Sequence, residues 1–116
     1  MAAPPPGYAR RMSSAEVRAL LVPVDGSDFS AAAVPVAADL ARRFGARVDL
    51  LSVVDRDEAR EPRERALADL TAPGVEVTRE VVVAGDPAAA IDEALRTGDR
   101  VACMATHGRS RSAALV

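Results

Sequence analysis

Three short polar segments interrupt a largely aliphatic sequence: Asp25-Gly26-Ser27, Gly85-Asp86-Pro87 and Thr106-His107-Gly108-Arg109-Ser110. Their residue types suit ligand binding better than covalent chemistry. A carboxylate such as Asp25 accepts hydrogen bonds from hydroxyl groups. A glycine such as Gly108 lets backbone amides approach an anion closely. Arg109 and Arg111 can screen phosphate charge, although solvated loop arginines are common. Ser27 and Ser110 have no base in their sequence context, so a serine nucleophile is not expected. His107 has no Cys, His or carboxylate at metal-ligand spacing and reads as a polar turn residue. Cys103 falls inside an apolar run and reads as an inert core thiol. Asp25 has a plainer reading too, as an N-cap or Asx-turn residue, and Gly108 as a simple turn glycine.

Each polar segment follows a run that must position it. Ala19 to Val24 is a short apolar strand that ends at Asp25. Ser30 to Phe44 carries small and apolar residues at helical spacing (Ala33, Ala37, Leu40, Ala41, Phe44) and stops at Gly45. Pro35 is awkward inside that helix and fits only near its first turn or at a kink. Arg47 to Val54 is a second strand. Asp55 to Glu61 reads as a charged loop, and Pro62 as the first residue of a helix with Ala66, Leu67 and Leu70 facing inward. Val75 to Val83 is a third strand whose polar Thr78 to Glu80 suits a sheet edge. Asp86 then caps a helix with Pro87 at its first position; that helix runs to Arg96, buries Ala88, Ile91, Ala94 and Leu95, and ends before Gly98. Val101 to Ala105 is the fourth strand.

Strands joined by helical connections imply a parallel sheet with right-handed crossovers. With the first strand central and the third at an edge, the order is 3-2-1-4. Winding then reverses between strands 1 and 4, and open α/β sheets bind ligands at such switch points, beyond the strands' carboxyl ends. That places Asp25 to Ser27 and Thr106 to Ser110 at the expected site.

Composition narrows the remaining classes. The chain has 116 residues, enough for one domain, with 49% hydrophobic but only 3% aromatic residues. An Ala- and Val-rich core of sheet and helices fits that balance. The net charge is −2, and all fifteen basic residues are arginine; nothing in this balance points to nucleic acid. No apolar run has a membrane-spanning length, no signal-peptide core is visible, and a single cysteine suits a reducing cytoplasm. Residues 1–16, with Pro4, Pro5 and Pro6, read as a disordered tail ahead of a domain over 17–116.

The ordered strings resemble the universal stress protein family. Leu20-Leu21-Val22-Pro23-Val24-Asp25-Gly26-Ser27 looks like its first strand and turn. Ala37-Ala38-Asp39-Leu40-Ala41 with Gly45-Ala46 and Leu50-Leu51-Ser52-Val53-Val54-Asp55 follow at similar spacing. Gly85-Asp86-Pro87 with Ile91, and Met104-Ala105-Thr106-His107-Gly108-Arg109-Ser110, complete the set. The resemblance implies a Rossmann-like fold and a non-enzymatic regulatory module that binds ATP, with Mg as a companion ion. It assigns Pro23, Val24 and Asp25 to the nucleoside, the Val53 backbone to the adenine edge, and Ala105, Gly108, Arg109 and Ser110 to the phosphates. Ala105 stands where the family's phosphate loop has its first glycine, and the last glycine would fall at position 118. The expectation is therefore that these residues hold ATP weakly, and that the last helix and fifth strand of the family are absent. The expectation is then either that the natural protein continues past Val116 or that strand 4 is covered by a partner, with self-association as a homodimer the leading form. The alternative is a module of the same fold that binds no nucleotide and docks on a partner; an enzyme of a related fold lacks a convergent acid–base set.

Overall fold

The computed structural model describes residues 17–105 and the strand Ala113–Leu115. The tail expected over 1–16 lies outside them. The chain forms β1 (Ala19–Pro23), α1 (Asp28–Ala31), α2 (Ala33–Phe44), β2 (Arg47–Val54), α3 (Arg60–Ala68), β3 (Val77–Val83), α4 (Pro87–Ala94), β4 (Arg100–Ala105) and β5 (Ala113–Leu115). The sheet order is β3-β2-β1-β4-β5, with parallel pairing among the first four. The expected order 3-2-1-4 and α/β class hold.

Alternation along each strand separates the two faces. Leu20 and Val22 of β1, Val48, Leu50 and Val54 of β2, Val81 of β3 and Cys103 of β4 form one core with Ala33, Val34, Ala37 and Ala41 of α2 and Leu67 of α3. α4 packs on the opposite face, against β2. There Asp49 is 95% buried, 5% exposed. It pairs with Arg47 at 2.8 Å and Arg100 at 3.4 Å and accepts a 2.6 Å bond from Thr78 Oγ1. The hydrogen bond from Arg47 to Asp49 holds that guanidinium above its ordinary pKa.

Several local expectations need correction. The first helix is two pieces, α1 and α2, separated at Ala32. Restarting at Ala33 puts Pro35 in the first turn, where a missing amide donor removes no helical bond. Gly45 ends α2 at φ 67°, a left-handed cap. Pro62 does not open its helix: a 3-10 turn over Asp57–Ala59 leads into α3 at Arg60, two residues earlier. Leu67 is buried and Leu70 half-buried, but Ala66 is exposed. In α4, Asp86 caps as expected, its carboxylate accepting from Ala89 N–H with Pro87 at the first position. Yet Ala88 is exposed and Ile91, Ala94 and Leu95 only half-buried, because α4 meets the sheet at a cavity instead of a filled core.

The sheet also has one more strand than expected. β5 runs antiparallel to β4, pairing Cys103 with Leu115, Met104 with Ala114 and Ala105 with Ala113. Three residues give no alternation to read in a sequence, but the unpaired backbone of an edge strand recruits such a segment. The outer edge of β4, expected to need a partner chain, is covered over Cys103–Ala105 by this chain itself.

Candidate functional site

At the carboxyl ends of the strands, β1 stops before β2 does. Their last residue pair is Pro23 with Leu51, followed by a bond from Val24 N–H to Leu51 O. β2 continues to Val54 beside β3. A cavity of about 220 Å³ opens where β1 has ended. Pro23, Val24, Asp25 and Ser30 line one side, Leu51 and Val53 the floor, and Pro87 and Ile91 of α4 the other wall. A second cavity of about 240 Å³ shares Val53 and Pro87 and extends past Val54, Gly85 and Arg63. Each alone is smaller than a typical ligand pocket of roughly 300 Å³ or more; side by side they form one crevice.

The backbone of Val53 is the polar feature of the floor. Odd-numbered residues of β2 turn their N–H and C=O toward β1: Arg47 N–H donates to Arg18 O, and Leu51 O accepts from Val24 N–H. Even-numbered residues turn toward β3, as Val48 N–H to Glu76 O and Ala84 N–H to Val54 O show. By this alternation Val53 directs one donor and one acceptor into the space β1 has vacated. Neither group has a partner among the described residues.

Asp25 sits at the lip. Its Oδ1 accepts from Ser27 N–H at 2.9 Å, from Ser30 Oγ at 2.7 Å and from Ser27 Oγ. Its own N–H donates to Ser30 Oγ at 3.0 Å. The Ser27 and Ser30 hydroxyls, then the Ser27 amide, lower the Asp25 pKa to about 2. Oδ2 has no partner among the described residues. Asp25 is thus an Asx-turn residue, and the cap of α1 is Ser27, whose Oγ accepts from Ser30 N–H. Gly26 has φ 88°, and a Cβ there would stand 3.2 Å from Arg63 Nε. Any other residue would be strained by its backbone and crowd that guanidinium.

The structure therefore brings together Pro23, Val24, Asp25 and Val53. Ala105 is half-buried at the end of β4, paired with Ala113, and does not line the crevice. Gly108, Arg109 and Ser110, with His107 and Arg111, lie outside the described residues. Cys103 is fully buried with its Sγ 3.9 Å from Ala33 O, and burial pushes its thiol up, which suits an inert core residue.

Sequence reasoning missed Ser52 and Arg63. Ser52 is fully buried, donates to Val24 O at 2.6 Å and accepts from Arg63 Nη1 at 2.6 Å. A hydroxyl inside the apolar run Leu50 to Val54 was the available signal for Ser52; Arg63, eleven residues on in an exposed-looking helix, offered none.

A larger cavity, about 520 Å³, lies at the opposite end of the sheet among Val17, Arg18, Phe44, Gly45, Ala46, Arg47 and Glu76. Its arginines are committed elsewhere, Arg18 to Asp99 and Arg47 to Asp49. It sits at the strands' amino ends, away from the switch point, and is a surface hollow more than a binding site. Among the described residues no group of three His, Cys, Asp or Glu could hold a metal ion, and no helix is long and apolar enough to cross a membrane.

No curated protein and no solved structure matches the chain. Residues 16–64 match the model of the Universal stress protein family, a stretch that runs from β1 into α3 and contains Asp25, Ser52, Val53 and Arg63.

Proposed function

We propose, from the universal stress protein character of residues 16–64, that this chain is a non-enzymatic, stress-related module that takes an adenine nucleotide, ATP, in the crevice beyond β1 and β2. One observation carries the reading. Val53 offers an N–H and a C=O that have no partner among the described residues, side by side on the floor of an apolar slot. Adenine presents an N6–H donor beside a ring-nitrogen acceptor, the complementary pair. Pro23, Leu51, Pro87 and Ile91 supply apolar surface for the base. Asp25 lines the crevice, and its carboxyl, with a pKa lowered to about 2, can accept from ribose hydroxyls. Phosphate contacts from Gly108, Arg109 and Ser110 belong to this proposal, as does weakened binding through Ala105. Magnesium enters only as a companion of the phosphates. Self-association is also proposed, now through the outer edge of β5 instead of β4.

Calorimetric titration tests the reading. Adenosine should bind measurably and guanosine, with donor and acceptor reversed, at least tenfold more weakly. Asp25→Ala should weaken adenosine by tenfold or more, the worth of one hydrogen bond to a charged group, and leave adenine itself unaffected. Adenosine that does not bind, or binds no better than guanosine, would favour the partner-docking alternative.

Asp25 also predicts an acid response. Its folded pKa of about 2 lies below the ordinary 3.8, so its contribution to stability is complete above about pH 4 and is lost as pH falls through about 2. Urea midpoints of the parent chain should therefore fall more between pH 4 and pH 2 than those of Asp25→Ala. Parallel curves for the two proteins would show that the serine cluster does not hold the carboxylate.

A further inference from the structure

The floor of the crevice is polar only because the ladder between β1 and β2 stops one bond early. Up to Leu51 the two strands exchange backbone bonds in unbroken alternation, ending with Val24 N–H to Leu51 O. The next bond in the series would run from Val53 N–H to Val24 O. It is not made. Val24 O instead accepts from Ser52 Oγ at 2.6 Å. The side chain of Ser52 lies on the sheet face that carries α2 and α3, since Ser52 pairs with the core residue Val81. Its hydroxyl therefore engages the Val24 carbonyl from that face, in place of the Val53 amide. A hydroxyl has one proton, and Arg63 fixes where it goes: Nη1 donates to Ser52 Oγ at 2.6 Å, which leaves the Ser52 proton for Val24. The same guanidinium stands beside Gly26, the residue that turns the chain after Asp25.

We propose that Ser52 and Arg63 are positioning residues that hold β1 off β2 at Val24, and so keep the Val53 N–H and C=O open for a ligand's hydrogen-bonding edge. The proposal rests on the reading of the crevice as a nucleoside site, but its central consequence is visible without ligand. In Ser52→Ala the Val24 carbonyl loses its hydroxyl partner. The Val53 amide is its nearest replacement, so the ladder closes by one bond and the floor loses its donor. The affected ligands are those with a donor–acceptor edge; an apolar ring without one should not sense the change.

Amide hydrogen exchange followed by NMR on the full chain is the test, with adenosine titration beside it. In the parent chain the Val53 amide should exchange at least tenfold faster than that of Leu51, and adenosine should slow it. In Ser52→Ala the Val53 amide should be slowed by tenfold or more without ligand, while adenosine affinity drops by tenfold or more. Ser52→Thr, which keeps the hydroxyl, should restore both. Arg63→Gln, which can still donate to Ser52, should lie between the parent and Ser52→Ala. If the Val53 amide is already protected in the parent, or if Ser52→Ala leaves it unchanged, the inference is wrong. If Ser52→Ala does not fold, Ser52→Thr and Arg63→Gln decide: Val53 exchange that tracks neither overturns it. Val53 exchange that responds as stated in a chain that binds no adenosine would uphold the positioning role and refute the nucleoside reading. Adenosine binding that is indifferent to all three variants would do the reverse.

Discussion

Val53→Trp is expected to cut adenosine affinity by a hundredfold or more, about 2.7 kcal/mol. The Val53 side chain is half-buried and borders both cavities of the crevice, which meet at Val53 and Pro87. An indole there occupies the slot proposed for the base, against Pro87 and Ile91. The ring enters open space, so overpacking strain should stay near or below about 1 kcal/mol, the lower end of what filled cores show. Binding and folding should thus separate: calorimetric titration loses its signal while the urea midpoint hardly moves. Adenosine binding at parental affinity would place the ligand elsewhere on the chain. An equal loss of both would mean that Val53 is a packing residue first.

Asp49→Ala should have the largest effect on stability, a loss of about 3 kcal/mol, the lower end of the range for breaking a buried pair. Asp49 is the carboxylate that Arg47 and Arg100 both pair with, and its Oδ1 also accepts from Thr78. Removing it leaves two guanidinium groups on a sheet face without the carboxylate that both pair with, and Glu76 and Asp99 act on Arg47 only more weakly than Asp49 does. Both arginines keep part of their side chains in water, 35% and 24% exposed, which is why the lower end of the range applies. The melting temperature should fall by about 10 °C or more. Replacing Arg100 by Met as well should recover part of the loss, because one stranded charge is then gone. A single variant within about 1 kcal/mol of the parent would show that solvent satisfies this cluster unaided.

These residues also mark what could be read from the sequence and what could not. The four strands and their order were legible because the Val and Leu runs end in Gly, Asp and Pro punctuation, and because polar Thr78 to Glu80 set β3 at an edge. Asp25 was placed at the switch point by that topology alone; Val53 was legible only through the resemblance to the universal stress protein family. The break at Ala32 was half legible: Pro35 signalled a conflict, but only the backbone shows that it is met by restarting the helix. Asp49 and Ser52 are polar residues in a strand buried on both faces. Their types announce that something satisfies them, yet the partners come from Arg100, Thr78, Val24 and Arg63, at separations no local pattern encodes. The fullness of α4 was overread for a related reason. Its apolar residues have helical spacing whether they face a packed core or the wall of a crevice.

The central place of β1 has a consequence for how the molecule is made. Of the five strands β1 leaves the ribosome before the others, yet its two neighbours are β2, through Ala19 and Arg47, and β4, through Ala19 and Arg100. β2 and β3 can add on one side as they are synthesised. The other edge of β1, formed by Ala19, Leu20 and Leu21, stays unsatisfied until residues 100–105 arrive. Pairings of such long sequence separation make folding slow compared with a helical chain of this size. During translation the nascent chain therefore carries an apolar, hydrogen-bond-hungry strand edge in its middle, the kind of surface that chaperones meet and that aggregates when they do not.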